Sequence, residues 1–373
     1  MTIPIDLSKF SVADPVASAA MVLSAGVQNW HWTGVINNEP ILPLVAGQRF
    51  QLWKPAISVQ SVKNPITGTV YVAGVDYALD VFGNLFLPAG SAIPLAPGGA
   101  AYPYTAVQNS QFASQQQTKS GSPLRISEDF LAYQIHVSYT AAPINVPSCP
   151  AASNRPIAML NMLGAGQPVA ISLLGDSIGK EGSSSFEANY PPYQHGFFPQ
   201  LVAYMTMKWP GQIYSRNQAI IGYDSYDVAT YLGNFIADSS SNFMILEFGM
   251  NDGTPNRSKA DFKANLESVI KNVRANSPNT EFALIAGITS NPEWIDWAPR
   301  FLEYRDAMLE LSGQYGTKGQ PVVCVIDVTS RWLDALTRKS YFDMTGDGAN
   351  HPGDFGHTMY VQTLIQGLFG NPP

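Results

Sequence analysis

Past residue 156, five apolar strand-length runs alternate with helix-length segments, and this alternation constrains the fold more than any other feature of the chain. The runs are Val169 to Leu174, Gln212 to Ser215, Phe243 to Phe248, Glu281 to Ala286 and Val322 to Asp327. Strands separated by helices cannot pair as hairpins, so the pattern predicts a parallel sheet covered by those helices. Lys259 to Asn276 carries Phe262, Leu266, Val269, Ile270 and Val273 on one stripe of helical period. Phe301 to Tyr315 and Phe355 to Leu368 behave alike, the latter opened by Pro352-Gly353-Asp354.

Between about Gly26 and Thr140 the texture differs. Short runs (Val27 to Trp32, Arg49 to Trp53, Thr69 to Val72, Tyr77 to Asp80, Leu85 to Leu87, Tyr133 to Tyr139) are broken by turn residues at Asn64-Pro65, Gly74 and Phe82-Gly83-Asn84. This reads as an all-β, sandwich-like module. Asn109 to Ser122, rich in Gln and Ser, reads as an exposed loop. The Pro-rich stretch Pro143 to Pro156 divides the chain into an accessory β-domain at 1–155 and an α/β domain at 156–373, the second expected to fold unaided.

Charged residues make up 13% of the chain, against roughly 25% in an average soluble domain. The surface is expected to be polar but uncharged, as in extracellular or carbohydrate-facing proteins. A net charge of -7 without any basic, aromatic-interleaved cluster argues against nucleic-acid binding. No apolar stretch reaches the roughly 20 residues of a membrane helix, and Met1 to Asp6 lacks the features of a signal peptide. The composition fits either a secreted enzyme without its leader or a cytoplasmic one. Cys149 and Cys324 fall in different expected domains and read as free thiols.

Four short stretches carry the chemistry: Gly175-Asp176-Ser177, Gly222 after Asn217 to Ile221, Gly249-Met250-Asn251-Asp252, and Asp347-Gly348-Ala349-Asn350-His351-Pro352. Three follow expected strands and the fourth opens a helix, which is where a doubly wound sheet gathers a site. Ser177 is the candidate nucleophile, and a serine alcohol needs a base, for which His351 is the candidate. The Ser177 amide, the Gly222 amide and the Asn251 side chain can donate to an oxyanion. Gly222 also reads as an ordinary turn glycine, Asn251 as a cap, and His351 as a packing histidine. Asp343, Asp347 and His351 as metal ligands is disfavoured by the absence of another nearby His or Cys.

These stretches resemble the consensus blocks of the SGNH/GDSL hydrolase superfamily over roughly Val169 to the C-terminus. The resemblance implies a three-layer α/β/α flavodoxin-like hydrolase domain with a parallel sheet, and a Ser-His-Asp triad of Ser177, His351 and Asp347. It implies an oxyanion hole of Ser177, Gly222 and Asn251, and no cofactor. The family's usual aspartate lies three residues before the histidine; here that position is Gly348, so Asp343 and Asp354 rival Asp347. Pro191-Pro192-Tyr193-Gln194 and Asn350 to His357 are similar to a subgroup with an N-terminal β-domain that acts on acetylated sugars.

The substrate expected is an acetylated carbohydrate or another small ester, because Lys180 to Gln194 combines Ser183 to Ser185 with Phe186, Tyr190 and Tyr193. A lipolytic short-chain esterase is the alternative. A reading of another class is a non-catalytic glycan-binding or surface-assembly protein using Trp30, Trp32 and Trp53 of the β-module.

Overall fold

The computed structural model describes residues 5–24, 34–97, 129–141, 155–231, 241–293, 298–316 and 322–370. The run Val27 to Trp32, the loop Asn109 to Ser122 and Cys149 lie outside the described residues, and Trp30 and Trp32 with them. Cys324 is buried. Among the described residues no helix is long and apolar enough to cross a membrane.

The first half contributes strands β1 (Ser11–Val12), β2 (Val35–Ile41), β3 (Arg49–Phe50), β4 (Ala56–Lys63), β5 (Ala78–Leu79), β6 (Leu85–Phe86) and β7 (Ile135–Ala141). The second contributes β8 (Val169–Gly175), β9 (Ile213–Asn217), β10 (Phe243–Glu247), β11 (Glu281–Ala286) and β12 (Val323–Asp327). The last five form a parallel sheet in the order β9-β8-β10-β11-β12, with β1 antiparallel on the β9 edge. Every residue of β8, β10, β11 and β12 is buried, as covered parallel strands require.

Helices Pro15–Ser24, Phe197–Lys208 and Asp354–Phe369 pack together on one side of the sheet, and Ser225–Tyr231, Lys259–Asn276 and Ala298–Gln314 on the other. Lys259–Asn276 starts where Ser258 caps it, its Oγ accepting the Asp261 N–H at 3.1 Å. Phe197–Lys208 is buried almost all round and so shows no apolar stripe in sequence. The crossover from β8 leads to β9 on one side, and the chain then returns to β10 on the other. The loops after β8 and β10 therefore diverge, leaving a crevice at the carboxyl ends of the strands.

Among the described residues the β-module contains two antiparallel three-stranded sheets, β2-β7-β4 and β3-β6-β5. β2 and β4 were not expected, because register shifts between Ile36 and Glu39, and again within β4, break the period-2 pattern. Thr69 to Val72, expected as a strand, makes only an isolated bridge from Val70 to Lys63.

A buried seam joins the two halves. Glu39 pairs with Lys339 at 2.9 Å, both nearly inaccessible, and also accepts the Trp53 N–H at 2.8 Å and the Tyr139 hydroxyl at 2.7 Å. Arg338 Nε donates to the Leu52 carbonyl at 2.7 Å. Trp53 is 2% exposed, donates Nε1 to Asp334 at 3.0 Å and meets Phe355 edge-on, so its ring presents no face for a sugar. Residues 11–24 pack with the α/β layers although they precede the β-module. These contacts tie the first half of the chain to the α/β layers.

Candidate active site

Strand β8 ends at Gly175, opposite Glu247 of β10, where a Cβ would come within 3.1 Å of the Glu247 carbonyl oxygen. The chain then turns. Asp176 is fully buried and its Oδ1 accepts the Ile178 N–H at 2.8 Å, while Gly182 N–H closes onto the Ser177 carbonyl at 2.8 Å. This tight turn leaves Ser177 half-buried at the carboxyl end of the sheet, facing His351.

His351 lies in the loop before the last helix, with Gly346 N–H donating to its carbonyl at 2.9 Å. Its Nε2 is 2.7 Å from Ser177 Oγ and its Nδ1 is 2.6 Å from Asp347 Oδ2. Those partners assign the proton of the neutral ring to Nδ1, leaving Nε2 to accept from the serine. Asp347 Oδ1 in turn accepts the N–H groups of Ala349, Asn350 and His351 at 2.8, 3.0 and 3.2 Å. Burial alone would raise the Asp347 carboxyl; the His351 ring and the backbone donors outweigh it and hold it below the ordinary range. The residue that lengthens the Asp-to-His spacing, Gly348, sits at φ +79°, a left-handed step that coils the loop so Asp347 reaches back to the ring.

The two rival aspartates face elsewhere. Asp343 closes a capping box with Ser340 and accepts the Leu42 N–H at 2.9 Å. Asp354 accepts the Ser185 N–H at 2.8 Å, and Gly353 occupies the cap position of its helix.

Asn251 and Gly222 flank the same turn. Asn251 Nδ2 donates to the Tyr223 carbonyl at 3.0 Å and lies 3.5 Å from Asp176 Oδ2. Ile220 N–H bonds the Gly175 carbonyl at 2.9 Å, and Gly222 adopts φ +82°. Asp252, fully buried, accepts Ser225 N–H at 3.1 Å and Arg257 Nε at 2.8 Å, tying the Gly222 loop to the Asn251 turn. Burial pushes the Asp252 carboxyl up to about 6 despite these donors.

Two further histidines lie nearby. His357 is buried, accepts Phe197 N–H at 3.3 Å and donates to the Gly182 carbonyl at 3.1 Å; burial lowers it to about 4, so it is neutral. His195 Nδ1 pairs with Glu181 at 2.9 Å. Sequence reasoning missed Glu247, a buried carboxyl beneath the Ser177 turn; its signal was a charged residue in the otherwise apolar run Phe243 to Phe248.

The sequence profile of the GDSL-like Lipase/Acylhydrolase family matches residues 173–359. Among solved structures the chain is similar to LAE5, an alpha/beta hydrolase enzyme from the metagenome of Lake Arreo, Spain, at 17% identity and a TM-score of 0.45, covering 56% of this chain and 98% of that one. It is also similar to a catalytic mutant of Axe2, an acetylxylan esterase from Geobacillus stearothermophilus, at 15% identity and a TM-score of 0.45, covering 54% and 94%. No curated protein matches the chain.

Proposed function

Since the chain belongs to the GDSL-like lipase/acylhydrolase family and is a hydrolase of carboxylic esters, we propose that Ser177, His351 and Asp347 are its catalytic triad and that its substrate is an O-acetylated carbohydrate. The observation that carries the triad is the unbroken series from Asp347 Oδ2 to His351 Nδ1 at 2.6 Å and from His351 Nε2 to Ser177 Oγ at 2.7 Å. Ser177 Oγ attacks the ester carbonyl while His351 Nε2 takes its proton, and Asp347 stabilises the imidazolium that forms. His351 then protonates the departing alcohol oxygen. Water, deprotonated by the same nitrogen, attacks the acyl-serine, and as the C–O bond to Ser177 breaks His351 returns the proton to Ser177 Oγ, releasing the carboxylic acid.

Negative charge on the tetrahedral oxygen is met by the Ser177 and Gly222 N–H groups and by the Asn251 amide. Each such donor is worth about 10²–10³ in kcat.

The substrate class is supported by the loop after the nucleophile. Gly182 packs so closely on the His351 ring that a Cβ there would lie 2.8 Å from Cδ2, which brings the following loop to the mouth of the site. On that loop the Phe186 ring, 46% exposed, stacks on His195 at 3.6 Å, and Tyr193 is 53% exposed. Ser183, Ser184, Ser185 and Gln194, expected to add hydroxyl and amide groups, are buried, so the support is the exposed aromatic faces, which suit a sugar ring better than a long acyl chain.

The test is acetate release from a panel of acetylated polysaccharides, set beside a series of simple esters of growing acyl length. Ser177→Ala should remove all turnover and the single label left by a serine-directed phosphonate. Hydrolysis surviving in Ser177→Ala would overturn the triad, and a preference for long acyl chains would overturn the substrate class.

A further inference from the structure

The Asp176 carboxylate is a crowded acceptor: Oδ1 takes the Ile178 N–H at 2.8 Å, and Oδ2 lies 3.5 Å from Asn251 Nδ2. A second carboxyl is buried beside it. Glu247 is 2% exposed and stands opposite Gly175 in the β8-β10 register, its Oε2 3.2 Å from where a Gly175 Cβ would be. That oxygen accepts no hydrogen bond within range. Two carboxylates buried side by side repel by several kcal/mol at any plausible interior dielectric, so one of the pair must carry a proton. Asp176 takes the Ile178 N–H and faces the Asn251 amide, which favour its anionic form, whereas the backbone N–H groups near Glu247 do not offset its burial beside that charge.

We propose that Glu247 is a positioning residue of this site, donating a carboxyl O–H to Asp176 and so fixing the acceptor against which the Asn251 amide is oriented. The proposal rests on the reading of Asn251 as an oxyanion donor. Among the groups around the pair, burial and then the charge of Asp176 raise Glu247 well above the ordinary range, and the backbone N–H groups of Asp176 and Gly179 lower it by less. The Tyr360 hydroxyl, itself held un-ionised, receives the Ile288 N–H at 3.0 Å and so brings no cation. Arg305 lines the same small cavity as Glu247 but turns to Ser330 at 3.1 Å and Asp306 at 3.6 Å. His351 is the one cation-forming ring that acts on Asp176, and only when protonated.

With Oδ2 held by the Glu247 hydroxyl, Asp176 cannot swing toward solvent. One Asn251 N–H is then committed to the Tyr223 carbonyl and the other stays aimed between Asp176 and the reacting carbonyl. Without the donor, Asp176 would either pull the Asn251 amide onto itself or take up a proton, and each outcome misaims the amide.

The experiment compares Glu247→Gln, which keeps an N–H donor of similar shape, with Glu247→Leu, which does not. On a simple acetyl ester, Glu247→Gln should stay within about threefold of the wild-type kcat, and Glu247→Leu should fall by about 10² with KM nearly unchanged. In an Asn251→Ala background the Glu247→Leu loss should largely vanish, because both act through one amide. Infrared difference spectra of wild type against Glu247→Gln at neutral pH should contain a protonated-carboxyl C=O band. Equal kcat in wild type and Glu247→Leu, equal damage in Glu247→Gln and Glu247→Leu, full additivity with Asn251→Ala, or no carboxyl band would each overturn the proposal. The infrared arm needs neither turnover nor the Leu variant, so a wild type inert on every ester would sink the hydrolase reading while Glu247 remained testable.

Discussion

An imidazole works as a base only if its second nitrogen is pinned, and here the pin is a carboxylate four residues earlier in the chain. Asp347→Asn would face an amide N–H toward His351 Nδ1 and favour the wrong tautomer, so kcat should fall by about 10⁴, the loss seen for the equivalent change in the serine-protease template. Asp343→Asn should leave kcat unchanged, because Asp343 serves Ser340 and Leu42. Steady-state rates of the two variants check the assignment. Ser177, His351 and Asp347 were all named from their motifs, and their side chains lie in series at 2.6 and 2.7 Å. Sequence did not set Asp343 and Asp354 aside, since three nearby carboxylates look alike and only the coil of the Gly348 loop separates them. Asp354 carries a pH prediction. Burial pushes its carboxyl up to about 6, so the folded state binds its proton more tightly than the unfolded chain does. Its contribution is present below the ordinary carboxyl range, near pH 4, and is lost as pH rises through 6. Asp354→Asn, which can still accept from Ser185, should therefore match or exceed the wild-type Tm at pH 7 and trail it by a few degrees near pH 4.5. His136 and His357, lowered by burial to about 3 and about 4, act with the opposite sign in both proteins and cancel in the difference.

At the level of elements, what sequence revealed followed from burial pattern. Strands buried on both faces announce themselves as unbroken apolar runs, and Lys259–Asn276 declares itself by a half-buried stripe and a capping serine. The bulged strands β2 and β4 and the all-buried helix Phe197–Lys208 have no clean period to read. The loop 345–353 is where local conformation becomes chemistry. Gly348 holds φ +79°, and a Cβ there would meet Phe342 Cε1 at 2.8 Å. Gly348→Ala thus combines a left-handed strain of roughly 1–2 kcal/mol with a clash against the half-buried Phe342 ring. Relief must come from the loop, which Asn291 also holds, its N–H donating to the Ala349 carbonyl at 2.7 Å and its Nδ2 to the Gly348 carbonyl at 2.8 Å. The expected outcome is a kcat lower by tenfold or more at temperatures where circular dichroism still reports a folded chain. Wild-type kcat in folded Gly348→Ala would mean that the loop geometry does not govern Asp347.

The whole molecule places the β-module against that same loop. Phe130 of the first half is fully buried and meets Phe342 edge-on at 5.6 Å, and Phe342 is the ring that crowds Gly348. The buried Glu39–Lys339 pair and the Arg338 bond to Leu52 hold the adjoining segment of the second half in register with the first. Composition divided the chain by texture, and nothing in texture reports that a phenylalanine before the boundary packs behind the loop that carries Asp347 and His351 after it. We therefore expect Phe130→Ala to act in two ways. Emptying the ring's volume should cost about 3–5 kcal/mol of stability, as for other large-to-small core changes. It should also loosen Phe342, letting the Gly348 step and Asp347 drift from His351, so kcat per folded molecule should fall. That loss should be equal on a small acetyl ester and on an acetylated polysaccharide, because a brace on the triad acts before substrate size matters. Active-site titration with a phosphonate supplies the folded, reactive concentration needed for the comparison. A loss confined to the polymer would mean that the module contacts glycan and does not brace the loop, and an unchanged kcat per titrated site would reduce Phe130 to a packing residue.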